Sequence, residues 1–188
     1  MALKRLTIDG YGQIELNNVA FRRDGRIEAQ CKAAAGTGEF FETAKVENGM
    51  ILAVDKVSKK VTVPTDDSLP LAINYSSEHI YDERTPGLKN FALNGKDDFY
   101  PRLGYPAVGD IFTENCICYD STEFSNDATL VSAIAGTGTT ALFGTESSLG
   151  AIFITATPTN TAQIKLRVLA GTTMPDGQYG VKFQVYNV

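Results

Sequence analysis

Short apolar runs, many of them alternating with polar positions, dominate the chain, and no long stretch shows helical spacing with caps at both ends. Leu3 to Ile8 begin the alternation, and Val19 to Arg23 and Arg26 to Gln30 flank Asp24-Gly25, a dipeptide suited to a tight hairpin turn. The small, glycine-broken stretch from Cys31 to Gly38 predicts a loop, after which Phe40 and Phe41 restart the pattern. Met50 to Val54 form a continuous apolar run of strand length. Asp55 to Lys60 are turn-like and charged, and Val61-Thr62-Val63 return as a second strand stopped by Pro64. Leu71 to Tyr75 predict another strand, whereas Ser76 to Tyr100, with Pro86, Gly87 and Gly95, predict a long surface excursion of the kind that function or a partner orders.

Further on, Val108 to Tyr119 predict two linked strands and Thr129 to Ala135 another. The tail carries the clearest β text. Ile164, Leu166 and Val168 fall on one face against Lys165 and Arg167, and Val181, Phe183 and Val185 do the same against Lys182, Gln184 and Tyr186, with Pro175-Asp-Gly177 as a turn between them. The expected class is mainly β: a β-sandwich or β-barrel-like core with long loops and an N-terminal arm or hairpin. Residues 1–45 are expected as the arm or hairpin, 46–121 as a β core with the long excursion, and 122–188 as a C-terminal β region able to pack into the same domain.

At 188 residues the chain can bury a core without staples or metals, and 43% hydrophobic with 21% charged residues places it among folded globular chains. Its 17 Lys and Arg against 22 Asp and Glu give a net charge of -5, which repels phosphate backbones. The basic residues are scattered through the text instead of gathered in a stripe, so no nucleic-acid partner is expected. No apolar run is long enough for a helical membrane span, and the opening ten residues, broken by Asp9, do not read as a secretory signal. Cys31, Cys116 and Cys118 are too few for a disulfide framework and are expected reduced, consistent with synthesis in a cytoplasm.

Chemistry finds little purchase. His79 is the single histidine and stands in a polar segment, which disfavours histidine-dependent catalysis and most metal sites. The carboxylate pairs Asp66-Asp67, Asp82-Glu83 and Asp97-Asp98 are sequence neighbours that point apart on an extended chain, so they read as solvated loop charge. Gly136-Thr-Gly-Thr-Thr-Ala141 matches a dinucleotide-type glycine pattern only formally, because Gly144 and Gly150 break the helix such a turn must open. Asn74-Tyr-Ser76 is a formal glycosylation acceptor that carries no weight without a secretory route. Neither an enzyme nor a cofactor is expected. Aromatic residues crowd the middle third, and Tyr75, Tyr81, Phe91, Phe99, Tyr100 and Tyr105 are the candidate interface residues, since Tyr and Phe supply large contact area at low entropic cost.

Gly49-Met-Ile-Leu-Ala-Val-Asp55, with Lys60-Val-Thr-Val-Pro64 and Leu71-Ala-Ile-Asn-Tyr75, resembles the small β core of phage capsid decoration proteins, in which a glycine-led strand, a charged turn and a strand returning to a proline recur. Tyr81 to Phe91, Tyr100 to Gly104 and Val108 to Thr113 look like minor structural proteins of tailed phages that infect Gram-positive hosts. The resemblance implies a virion protein on the capsid surface that decorates or cements the shell. It also implies the major capsid protein as partner, a homotrimer, and an arm from Met1 to about Lys45 lying along the shell. A tail, baseplate or head-fibre component is the alternative within the virion. A carbohydrate-binding β-sandwich is the alternative outside it, disfavoured by the absence of Trp.

Overall fold

The structure, a computed structural model, describes residues 2–77, 90–97, 99–136, 141–157 and 161–188. In chain order its strands begin with β1 (Leu3–Arg5), β2 (Ile14–Asn18), β3 (Ile27–Glu28), β4 (Lys32–Ala33), β5 (Lys45–Glu47), β6 (Ile51–Asp55), β7 (Lys60–Thr62) and β8 (Leu71–Asn74). They continue with β9 (Ala92–Asn94), β10 (Leu103–Gly104), β11 (Ile111–Glu114) and β12 (Ile117–Asp120), then helix α1 (Asp127–Ala135). The last four are β13 (Phe143–Thr145), β14 (Ile152–Thr155), β15 (Lys165–Thr173) and β16 (Tyr179–Asn187). An eight-stranded sheet runs β1-β12-β14-β13-β15-β16-β11-β2, a six-stranded sheet runs β3-β10-β8-β6-β7-β4, and β5 pairs with β9 alone. The protein is mainly β with a sandwich-like core.

The continuous apolar run of β6 has a direct cause: both of its faces are covered. Ile51 and Ala53 join one core cluster with Phe112, Ile117, Leu166 and Phe183, while Leu52 and Val54 join a second with Phe41, Val61, Leu103 and Phe153. The neighbouring β8 divides in the same way, Leu71 and Ile73 to one side and Ala72 to the other. A strand covered on two sides has no solvent face to make polar, hence an unbroken run in place of alternation. Each such fully buried Leu or Ile contributes about 1.5–3 kcal/mol relative to exposure.

Within the eight-stranded sheet, β15 and β16 alternate instead. Leu166 and Val181, Phe183 and Val185 are buried, and the residues between them are partly or fully exposed. The 9-residue strands β15 and β16 form the expected hairpin, closed at Pro175-Asp-Gly177, where Gly177 takes φ 89° and its N–H donates to the Met174 carbonyl at 2.8 Å.

Three expectations need correction. Thr129 to Ala135, expected as a strand, belong to α1: the Asn126 side chain caps it by accepting from the Thr129 N–H at 3.0 Å, and Leu130 and Ile134, four apart, fall on the buried side. Val19 to Arg23 form a turn and not a strand, because the Asp24 and Arg26 N–H groups reach back to the Ala20 and Phe21 carbonyls. The first 45 residues do not extend as an arm. β1 pairs with β12, β2 with β11, β3 with β10 and β4 with β7, so the stretches 1–45, 46–121 and 122–188 share the sheets among them. The long excursion falls largely outside the described residues, and its described end contains β9, paired with β5.

Candidate interaction surfaces

One side of the large sheet is filled by the core; the other carries an open face over β13, β15, β16, β11 and β2. Phe143 stands opposite Arg167, Arg167 opposite Gln184, Gln184 opposite Ile111, and Ile111 opposite Asn18. Directly opposed residues share a face, and this row looks away from buried Leu166, Phe183 and Phe112. Lys165, Lys182 and Tyr186 share that side by alternation. Tyr186 meets Phe143 edge to face with ring centroids 5.9 Å apart. At the far edge the Thr113 hydroxyl donates to Asn17 Oδ1 at 2.8 Å, and Asn17 donates to Glu15 at 3.0 Å. The face combines aromatic rings, Arg and amides, with Lys165, Arg167 and Lys182 set against Glu15. Gly144 lets the sheet close on the core behind it: a Cβ there would stand 2.7 Å from Ile152 and 3.2 Å from the Phe183 ring.

A second surface forms where the six-stranded sheet ends. Lys32 on β4, Lys59 and Lys60 at the β6–β7 turn, and Lys96 after β9 line one cleft of about 490 Å³ together with Gln30, Glu39 and Tyr100. Lys60 pairs with Glu39 at 2.7 Å, and that hydrogen bond, helped by the Gly36 N–H, holds the Glu39 carboxyl below its usual range. The Lys32 ammonium lies 5.4 Å from the centre of the Tyr100 ring. Sequence reasoning saw these lysines as scattered; three separated segments bring them together, and no local pattern announces that.

The expected interface aromatics separate. Tyr100 is 48% exposed beside the lysine cleft, Phe99, next to it in sequence, is 60% exposed, and Phe91 is half-buried. Tyr75 is a core residue, 2% exposed, its ring 5.2 Å from Phe21. Tyr105 is half-buried with Lys56 5.4 Å from its ring centre, and burial raises its hydroxyl pKa. Tyr81 lies outside the described residues, as do His79, Asp82, Glu83 and Asp98. The open sheet face was not read as a surface from the text, although alternation in β15 and β16 already separates its residues from the core.

The remaining chemical candidates are structural. Asn74 is fully buried and donates to the Glu47 carbonyl at 2.7 Å. Asp66 accepts from the Ser68 N–H at 2.8 Å, closing a local turn. Gly136 ends a helix where a dinucleotide turn must open one. Between the sheets, Arg5 Nη2 donates to Glu47 at 3.0 Å, and the Gly12 N–H donates to the same carboxylate at 2.7 Å. Glu114 is fully buried nearby, and burial raises its pKa well above the usual carboxyl range, Arg5 opposing. Burial likewise pushes the Cys116 thiol up, which suits packing and not nucleophilic attack. No group of three or more metal-ligating side chains occurs among the described residues. No family model matches the chain, and neither curated proteins nor solved structures provide a match.

Proposed function

We propose that this chain is a non-enzymatic virion structural protein that decorates or cements a capsid, docking the open face of its large sheet on an acidic surface of the major capsid protein. The observation that carries the reading is that face. Phe143, Tyr186 and Arg167 are the residue types that anchor protein interfaces, and they project from paired strands, so little conformational freedom is lost on docking. The predominance of Lys165, Arg167 and Lys182 over Glu15 selects an acidic partner and repels a second copy of the same face. The resemblance of residues 49–75 to capsid decoration proteins supports the shell as the partner. Homotrimeric assembly belongs to the same proposal.

The test is cosedimentation with capsids lacking this protein, from the phage that encodes it. Wild type is expected to bind saturably at a stoichiometry matching lattice positions. The double variant Arg167→Glu, Tyr186→Ser is expected to lose affinity by at least about tenfold, with its far-ultraviolet circular dichroism unchanged. Absence of wild-type binding, or a variant that binds as tightly, would remove the reading.

A further inference from the structure

The lysine cleft is built at a cost. Like charges gathered on one exposed wall repel one another, and Glu39 is the one carboxylate among the described residues lining it. Lys59 adds backbone strain: among the described residues it is the non-glycine residue in the left-handed region, at φ 56°. Glycine is the ordinary occupant of that conformation, so the position keeps a lysine where backbone preference alone favours its replacement. Lys59 and Lys96 have no ion pair among the described residues. The cleft, at about 490 Å³, is of the size that takes a small ligand, and the half-exposed ring of Tyr100 forms part of its wall.

We propose that this cleft is an anion-binding site whose ligand carries a phosphate or sulfate group, free or as a sugar ester, held by Lys59, Lys60 and Lys96. Ammonium groups suit such a ligand because each offers three rotatable donors to oxygen atoms arranged around a compact charge. Tyr100 is the surface on which a sugar ring rests if the anion arrives as an ester. Gln30, on the same wall, supplies an amide able to meet sugar hydroxyls. The site is independent of the open sheet face, and either can fail alone.

Calorimetric titration of the full chain at low ionic strength, with inorganic phosphate, inorganic sulfate, glucose 6-phosphate and glucose as probes, tests the assignment. Saturable binding of the anions and none of neutral glucose is expected, weakening as salt rises. Lys96→Gln is expected to weaken binding by at least about fivefold, the loss of a charge-assisted contact. Lys59→Gly is expected to weaken it similarly while leaving the melting temperature unchanged or higher, which separates the ligand role from a structural one. Tighter binding of glucose 6-phosphate than of phosphate, abolished in Tyr100→Ala, assigns the ester; equal affinities assign the free anion. No saturable binding of any anion, or affinity undiminished in both lysine variants, overturns the site.

Discussion

Glu114 ends β11 with no solvent exposure and with neither carboxylate oxygen hydrogen-bonded among the described residues. Burial favours its neutral form, so the folded state holds a proton that the unfolded chain releases in the ordinary carboxyl range. The sign follows: the contribution to stability is fully present below that range and is lost as pH rises toward the raised folded pKa. Glu114→Gln keeps the shape and removes the titration. The variant is expected to match wild type at pH 4 and to exceed it by about 1–3 kcal/mol at pH 8 in chemical denaturation. A constant difference across that range would show that Glu114 is charged when folded. At this scale the text was legible only in part. Phe99 and Tyr100 were readable as candidate contact aromatics because Pro and Gly surround them, whereas Tyr75 directly follows β8 and its core position against Phe21 depends on a distant segment that no local pattern displays.

Among elements, those with a clear period were legible. The alternation of β15 and β16, the apolar run of β6 and the proline after β7 all express burial geometry that pairing with neighbours preserves. Helix α1 was misread because Thr129, Val131 and Ile134 are β-branched, while its actual signals, a capping Asn126 and acidic Asp127 in the first turn, are short and local. Asn126→Ala is expected to destabilise the protein by about 1 kcal/mol, measured by thermal or urea unfolding. An unchanged midpoint would mean that packing of Leu130 and Ile134 alone holds the helix. The lysine cleft was illegible for a different reason: it is made by β4, a turn and the segment after β9, far apart in sequence, and only the tertiary fold makes them neighbours.

For the whole molecule, the decisive feature is that chain order and sheet order diverge. The first strand lies beside β12, β2 beside β11, and β11 beside β16. Sheets woven in this way are expected to melt in one transition. The thiols report it: Cys31, Cys116 and Cys118 are buried, with Cys118 pushed up to about 11 by its burial. A thiol-modifying reagent at neutral pH is therefore expected to label none of them in the native protein and all of them together through the denaturation midpoint; labelling of Cys31 ahead of the other pair would show that the six-stranded sheet opens first. The pairing of β11 with β16 has a further consequence, in the order of events on the ribosome. With β16 still inside the exit tunnel, β11 has β2 on one side and no partner on the other, and the long sheet cannot close. Until β16 is made, the apolar strands before it wait on a late partner, so folding is expected to be slow for the chain's size and sensitive to the chaperones that hold it until β16 arrives.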